Sequence, residues 1–313
     1  MKRFKNILFV ADGIKGEATA LKKALELAEL NRARLSVISV VDAASKFSYP
    51  LNTTEIVLSI QKNLVQYRKQ GLQELVREAL TGSKKTQPSL IVQEGRNFVE
   101  IIRTVLKDEY DLVIKLAGGE HKLSNILFGS LDLHLLRKCP CPVWILKPRK
   151  RIAHSRILAA VDIAPQEKAS FVLNNTIMEL ACSLSEMENG KLGVINAWFL
   201  PEEAWLRTRQ LSKYKSVDTL LRECRTQQKK NLNSLVEGFS AYNPELHLIK
   251  GHPGKVIPRF INNHRVDLLV MGTLARTGVA GLLMGNTAEK ILNSVNCSVL
   301  AIKPQGFRSP VKI

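Results

Sequence analysis

The residue types best suited to chemistry in this chain lie in one glycine-punctuated segment, 271–287, near the C-terminus. Gly272, Gly278 and Gly285 allow the backbone to approach a ligand closely, because glycine has no Cβ. The segment follows an apolar run typical of a strand and enters a run typical of a helix. Unpaired N–H groups at such a helix start attract phosphate groups. The pattern therefore predicts a phosphate-binding loop.

Two polar residues stand at the predicted helix start. Asn286 and Thr287 are residue types that cap helices, and their side chains can also hydrogen-bond to an oxyanion. The segment contains neither the Gly-Lys-Ser/Thr of a P-loop nor the G-x-G-x-x-G of a dinucleotide-binding turn. Phosphate recognition by a loop of a different kind is the resulting prediction.

Four sequence blocks occur twice, in the same order. Block 5–12 matches 155–162, and block 139–148 matches 295–304. The other two pairs are 35–41 with 192–198 and 90–114 with 246–270. A chance similarity would not keep its order over four blocks. The sequence therefore predicts an internal duplication, with about six extra residues between the first two strands of the second copy.

Each copy alternates short runs of Val, Ile and Leu with amphipathic segments, such as the helical spacing of Leu21, Leu25 and Ala28. Strands that are apolar on both faces and alternate with helices indicate a parallel sheet covered on both sides. We predict two tandem doubly wound α/β domains, 1–149 and 150–313, each with a five-stranded parallel sheet. A ligand would lie at the carboxyl ends of the strands. The predicted strands are 6–11, 35–41, 89–93, 111–116, 142–146, 156–161, 192–197, 246–249, 267–271 and 298–302.

The last strands of the two copies, 143–146 and 298–302, are apolar. An apolar strand left at the open edge of a sheet invites aggregation, so both strands must be covered. We therefore expect the two domains to pack against each other as a pseudo-twofold pair. Further association of two chains into a homodimer stays open.

The glycine-punctuated segment resembles the signature of the universal stress protein family, G-x2-G-x9-G-(S/T), which lies along the phosphates of ATP in nucleotide-binding members. Gly272 and Gly285 match its first and third glycines, Ala275 stands at the second, and Asn286 stands where Ser or Thr is usual. A Cβ at position 275 stands where the backbone should approach the ligand. A nucleotide site and a loop kept only as scaffold are therefore both open. The resemblance covers both copies.

The resemblance implies that an Asp after the first strand and a residue at the end of the second strand contact the adenosine, here Asp162 and Ala197. It also implies a cytoplasmic stress protein associated with resistance to DNA-damaging agents. ATP in the second domain, or another small molecule, is the expected ligand. The candidate binding residues are Asp162, Ala197, Met271, Gly272, Ala275, Arg276, Thr277, Gly278, Gly285, Asn286 and Thr287.

The equivalent segment of the first copy, 115–130, departs further from the family signature. Gly119, Gly129 and Ser130 match it, whereas Leu116 replaces the first glycine. We therefore predict that the first domain does not bind ATP.

Little catalytic machinery accompanies the loop of the second copy. Turnover of ATP needs an acid that holds a metal ion and a group that positions water near the γ-phosphate. Asp162 is the acid expected at the site, and Glu289 stands one turn into the following helix. We predict a protein without enzymatic activity; a weak ATPase or an ATP-dependent switch in the second domain is the alternative.

The formal net charge is +18, and the basic excess extends over both copies. A dedicated nucleic-acid domain usually concentrates its charge in one segment, so a solvated basic surface is favoured and sequence-specific nucleic-acid binding is not expected. No apolar run approaches the length of a membrane span, and no membrane partner is predicted.

Five cysteines, an odd number with irregular spacing, are a poor disulfide framework and suit a reducing compartment. The cytoplasm is therefore the expected location. Cys139 and Cys141, with His134 nearby, have the spacing C-x-C, which is not that of a zinc site, so no metal is expected.

Overall fold

The computed structural model describes residues 4–42, 54–81, 87–118, 128–148, 155–163, 168–208, 216–273 and 284–313. The chain forms two compact units. The first comprises Met1–Ile152, Ser298–Ala301 and Phe307–Ile313, and the second Ala153–Cys297 and Ile302–Gly306. The domain boundary expected at residue 150 stays a prediction; in the structure most of the last strand and the C-terminal tail belong to the first unit.

The first unit is built on a parallel sheet in the order β3-β2-β1-β4-β5. Every residue of β1 and β4 is buried, which explains why these strands are apolar on both faces apart from Asn6 and Lys115. The strands are β1 (Asn6–Val10), β2 (Arg34–Val41), β3 (Ser89–Glu94), β4 (Leu112–Leu116) and β5 (Val143–Leu146). The helices are α1 (Glu17–Asn31), α2 (Thr54–Leu80), α3 (Asn97–Lys107) and α4 (Ser130–Lys138).

Strand β10 (Ser298–Ile302) pairs antiparallel with β5. Leu300 lies opposite Trp144, and both side chains are 1% exposed. The expectation that these apolar strands are covered is met by this pairing, which is internal to the first unit.

The second unit repeats the parallel order, as β9-β6-β7-β8. Its strands are β6 (Arg156–Ala160), β7 (Lys191–Trp198), β8 (Glu245–Lys250) and β9 (Leu268–Gly272). Its helices are α5 (Lys168–Met187), α6 (Glu203–Thr208), α7 (Val217–Glu237), α8 (Pro253–His264) and α9 (Asn286–Leu292). The predicted α/β class with predominantly parallel sheet is confirmed. No helix in the described ranges is both long and apolar enough to span a membrane.

In each unit the strand order reverses between two neighbouring strands, which are β1 and β4 in the first unit and β6 and β9 in the second. This place is the switch point of the sheet. In sheets of this kind a ligand binds at the carboxyl ends of those two strands. α1 packs against α2, and α3 packs against α4, as expected for a sheet covered on both faces. The fold therefore directs attention to the loops that follow β1, β4, β6 and β9.

Candidate functional site

The loop after β1 is held in place by a buried carboxylate. Glu17 accepts hydrogen bonds from the backbone N–H of Asp12 at 2.7 Å and of Gly13 at 3.0 Å. Arg68 donates to the carbonyl of Asp12 at 3.2 Å. Burial raises the pKa of Glu17, and its two backbone donors offset only part of that effect. The position of Asp12 is therefore fixed by a buried carboxyl group on the first helix.

The loop after β6 is held in the same way by neutral amides. Asn174 accepts from the N–H of Asp162 at 3.1 Å and donates to its carbonyl at 2.7 Å. Asn196 donates to Val161 O at 3.1 Å. Twelve residues separate Asp162 from Asn174, whereas five separate Asp12 from Glu17. The extra residues of the second copy therefore lie between β6 and the contact with α5.

The first unit contains a buried cation at its switch point. Lys115, whose side chain is 1% exposed, lies on β4 with its Nζ 2.7 Å from Asp12 Oδ2 and 2.9 Å from Asp132 Oδ1. It also donates to Leu116 O at 2.9 Å. Burial lowers the pKa of Lys115, but the attraction of Asp132 and then of Asp12 outweighs burial, so the net shift is upward. Lys115 is therefore a charged ammonium ion held between two carboxylates.

The carboxylate of Asp132 lies between the two glycines that flank the loop after β4. Its Oδ2 accepts from the N–H of Gly118 at 2.9 Å and from the N–H of Gly129 at 2.9 Å. Its side chain is fully buried at the start of α4. Two backbone donors and an ammonium group thus converge on an internal anion. The donors that could bind an anion at this end of the first unit are therefore already occupied by a carboxylate of the chain itself.

The second unit has apolar residues at the two corresponding positions. Met271 on β9 replaces Lys115, and Ala288 on α9 replaces Asp132; both are buried. Beside them, Thr273 O accepts from the N–H of Gly285 at 3.0 Å, which joins the end of β9 to the start of α9. The second unit therefore keeps the connection between strand and helix without the internal ion cluster.

A buried lysine also lies near the loop of the second unit. It does not lie on β9, as the position of Lys115 would suggest, but directly after β10. Lys303, just after β10, donates to Thr273 Oγ1 at 2.9 Å, and both side chains are buried. The ammonium group of Lys303 therefore lies next to Thr273, the residue that follows β9.

A leucine and a glycine exchange places between the repeats. In the first unit Leu116 ends β4, and a Cβ built on Gly16 would lie 3.7 Å from its Cδ2. In the second unit Gly272 ends β9, and a Cβ built there would lie only 2.7 Å from Leu173 Cδ2. From the sequence alone, Leu116 indicates that the loop of the first copy has diverged from the family signature. The structure shows a compensated change, because each repeat places one leucine at the same contact.

The structure describes seven of the eleven candidate residues and brings them to one edge of the second sheet. Asp162 is exposed after β6, and Ala197 is half-buried near the end of β7. Strand register places Met271 beside Ala160, so these positions are neighbours at the carboxyl ends of adjacent strands. Gly272 and Gly285 flank the Thr273 contact, with Asn286 exposed and Thr287 half-buried. Ala275, Arg276, Thr277 and Gly278 lie outside the described residues.

Sequence reasoning missed the ion pair of Lys115 with Asp132, and it missed Glu17, which holds the neighbouring loop after β1. A lysine within the otherwise apolar strand LVIKL was the available indication, since a buried strand rarely contains an unpaired charge. Asp132 stands at the third position of α4, where an acid is typical. Either observation could have drawn attention to the first copy, but the pairing needed the structure.

The cysteine pair and His134 have other surroundings. Cys139 Sγ and Cys141 Sγ lie 3.6 Å apart in the core, while the ring of His134 stacks on Phe98 with centroids 4.1 Å apart. Within the described ranges, no group of three His, Cys, Asp or Glu side chains could hold a metal ion.

A doubly wound α/β domain with a glycine-flanked loop after its fourth strand, duplicated in one chain, defines a class of nucleotide-binding-type folds. Comparison gives the particular family. The model of the universal stress protein family matches residues 3–147 and 154–303. The chain therefore belongs to the universal stress protein family, and it contains two domains of that family.

Known relatives match along nearly the whole chain. It is 26% identical over 314 residues to universal stress protein E of Photorhabdus laumondii, covering 100% of this chain and 99% of the relative. It is 28% identical over 308 residues to a universal stress protein E homolog of Haemophilus influenzae, covering 96% and 98%. A functionally unknown protein from Pseudomonas aeruginosa PAO1 has a similar structure, with a TM-score of 0.66, 26% identity and 97% and 94% coverage.

The ion cluster of the first unit can be tested by copying the second. Lys115→Met should lower stability by about 3–5 kcal/mol, because it leaves buried Asp132 without its cation. Lys115→Met with Asp132→Ala, which reproduces Met271 and Ala288, should recover most of the loss. Urea unfolding followed by circular dichroism measures both. Equal stability of the single and double variants would contradict the assigned ion pair.

The same ion pair predicts a pH dependence. The folded-state pKa of Lys115 is raised above its usual 10.5. The stability that Lys115 contributes should therefore be fully present below pH 10.5 and lost as the pH rises through the folded-state pKa. Accordingly, the difference in urea midpoint between the wild type and Lys115→Met should shrink in strongly alkaline buffer. A constant difference would show that packing, not charge, causes it.

The exchanged leucine predicts coupling between two sites. Gly272→Leu places a second leucine against Leu173 and should destabilise the second unit by about 1–3 kcal/mol through overpacking. Combining it with Leu173→Ala should cost less than the sum of the two single changes, since the space is shared. A double-mutant cycle in urea gives the coupling; strictly additive effects would show that the two side chains do not compete.

Proposed function

We propose that this member of a family of stress-response proteins acts without catalysis, and that its second repeat holds a small phosphate-bearing ligand such as an adenine nucleotide. The observation that supports this division is the replacement of the buried pair Lys115 and Asp132 by Met271 and Ala288. The first repeat fills its anion position with its own carboxylate. The second repeat has no carboxylate at that position.

The local charges favour the same division. Among the described residues, the carboxylates of Asp12, Glu17 and Asp132 lie around the switch point of the first repeat, with the ammonium of Lys115 and the guanidinium of Arg68 as the opposing charges. In the second repeat Asn174, a neutral amide, does the work of Glu17, and alanine replaces the buried aspartate. A phosphate would meet less repulsion there. Lys303 adds a positive charge on Thr273.

In the cell, the proposed role is protection during stress, including damage to DNA, with the cytoplasm as the proposed compartment. All five cysteines are free thiols, as expected where thiols are kept reduced. Ligand occupancy of the second repeat would then be the state that a partner or a second copy of the chain recognises. The alternative, slow ATP turnover at the same loop, would release phosphate, which the experiment below also measures.

Repair of the family signature tests the proposed ligand site. Ala275→Gly with Asn286→Ser should tighten ATP binding about tenfold, which is ~1.4 kcal/mol, because the backbone can then approach the phosphates. Isothermal titration on the wild type and the double variant measures it. Phosphate release from bound ATP is recorded in the same samples and separates a ligand-binding protein from an ATPase.

The first repeat supplies the matched control. Ser130 occupies the position of Asn286, so Ser130→Asn makes the opposite change in the repeat that holds Asp132. It should leave ATP binding unchanged. If the wild type and the repaired variant both fail to bind ATP at millimolar concentration, the loop is a scaffold in both repeats and this proposal is wrong.

A further inference from the structure

Two cations of the first unit converge on one aromatic ring, where α3 packs against α4. Arg96, the N-terminal cap residue of α3, has its Cζ 4.8 Å from the centroid of Phe98. Lys138, at the end of α4, has its Nζ 4.2 Å from the same centroid. Each gains from the negative face of the ring. Since both distances are measured to one point, the two charges are neighbours.

These charges are not neutralised within the described part of the chain. Neither Arg96 nor Lys138 forms an ion pair there. The nearest carboxylate on α3, that of Glu100, is bound to Arg103 at 2.7 Å. Partial burial lowers the pKa of Lys138, and the charges of Arg96 and Arg137 lower it further. The cations therefore repel one another, and an external anion would relieve that repulsion.

A further basic side chain lies along α3, that of Arg103, which is paired with Glu100. Arg103 follows Arg96 by seven residues, which is about 10 Å along a helix. The guanidinium of Arg103 also donates to the carbonyl of Lys312 at 3.2 Å, which places the tail Phe307–Ile313 of the first unit beside α3. A partner that contacts the whole row must therefore present several negative charges in succession.

We propose that this cationic face is a docking surface for the phosphodiester backbone of a nucleic acid, bound without sequence selection. The face consists of Arg96, Arg103, Arg137, Lys138 and Lys312. A single phosphate would contact only one part of it, whereas a chain of phosphates can follow α3 and release counterions along its length. Phe98 is only 7% exposed, so it cannot stack on a base. Contacts to phosphate alone carry no sequence information.

The overall charge of the protein supports a polymeric partner. A net charge of +18 raises the encounter rate with any polyanion, and the cationic face supplies the place where the charges converge. This docking surface is built from residues of α3, α4 and the tail, and is therefore independent of the ligand loop of the second repeat.

The test compares two double variants that remove the same charge. One is Arg96→Ala with Lys138→Ala. The control is Lys229→Ala with Lys230→Ala, two exposed residues of α7 in the other unit. Fluorescence anisotropy with a labelled single-stranded DNA of about 20 nucleotides, between about 50 and 200 mM KCl, gives the affinity and its salt slope.

Loss of two phosphate contacts should reduce the salt slope by about 1.4 and weaken binding about tenfold at the lowest salt. The control should change affinity by less than about twofold. Circular dichroism checks that both variants are folded. The repaired variant Ala275→Gly with Asn286→Ser should bind the DNA like the wild type, so a failure of the ligand proposal leaves this result intact.

Three outcomes would overturn the proposal. Equal losses in both double variants would show that only net charge matters. Tighter binding of poly-glutamate, or of vesicles containing phosphatidylglycerol, than of DNA at equal charge would assign the face to an acidic protein or a membrane surface. Absence of wild-type binding at the lowest salt would remove the nucleic acid altogether.

Discussion

An ammonium ion buried in a protein loses its hydration, and the loss amounts to several kcal/mol unless nearby groups replace the water. In the first repeat, Lys115 is surrounded by the carboxylates of Asp12 and Asp132 and the carbonyl of Leu116. These partners come from the loop after β1, from α4 and from β4 itself. One charge therefore holds three elements together at the switch point, and these elements cannot separate without leaving a buried charge unpaired.

The second repeat keeps the backbone connections and changes the side chains that stabilise them. Thr273 donates its N–H to Ile302 O just as Ala117 donates to Leu146 O, so the strand ends are joined alike. Asn174 fixes the loop after β6 without a charge. The two repeats therefore keep the same strand connections, one around a buried ion cluster and the other with neutral contacts at the loop after β6.

Much of the fold could be predicted because its determinants are local. Buried parallel strands are runs of Val, Ile and Leu, and the duplication showed each run twice, so the ten strands lie close to their predicted positions. Helix α6, with six residues and none of them buried, has no apolar periodicity and was missed. The site was harder, because Gly16 and Leu116 are a hundred residues apart and only contact reveals that one compensates for the other.

The distribution of charge on the surface is also hard to predict from the sequence. Composition indicates a basic excess spread evenly along the chain, and from that alone a solvated surface is the reasonable expectation. Folding brings basic residues together: Arg96 precedes α3 and Lys138 ends α4, yet both side chains lie against the buried ring of Phe98. An even distribution along the sequence therefore does not imply an even field around the molecule. The geometry of Phe98, and not the total of +18, determines where an anionic partner finds opposing charges already close together.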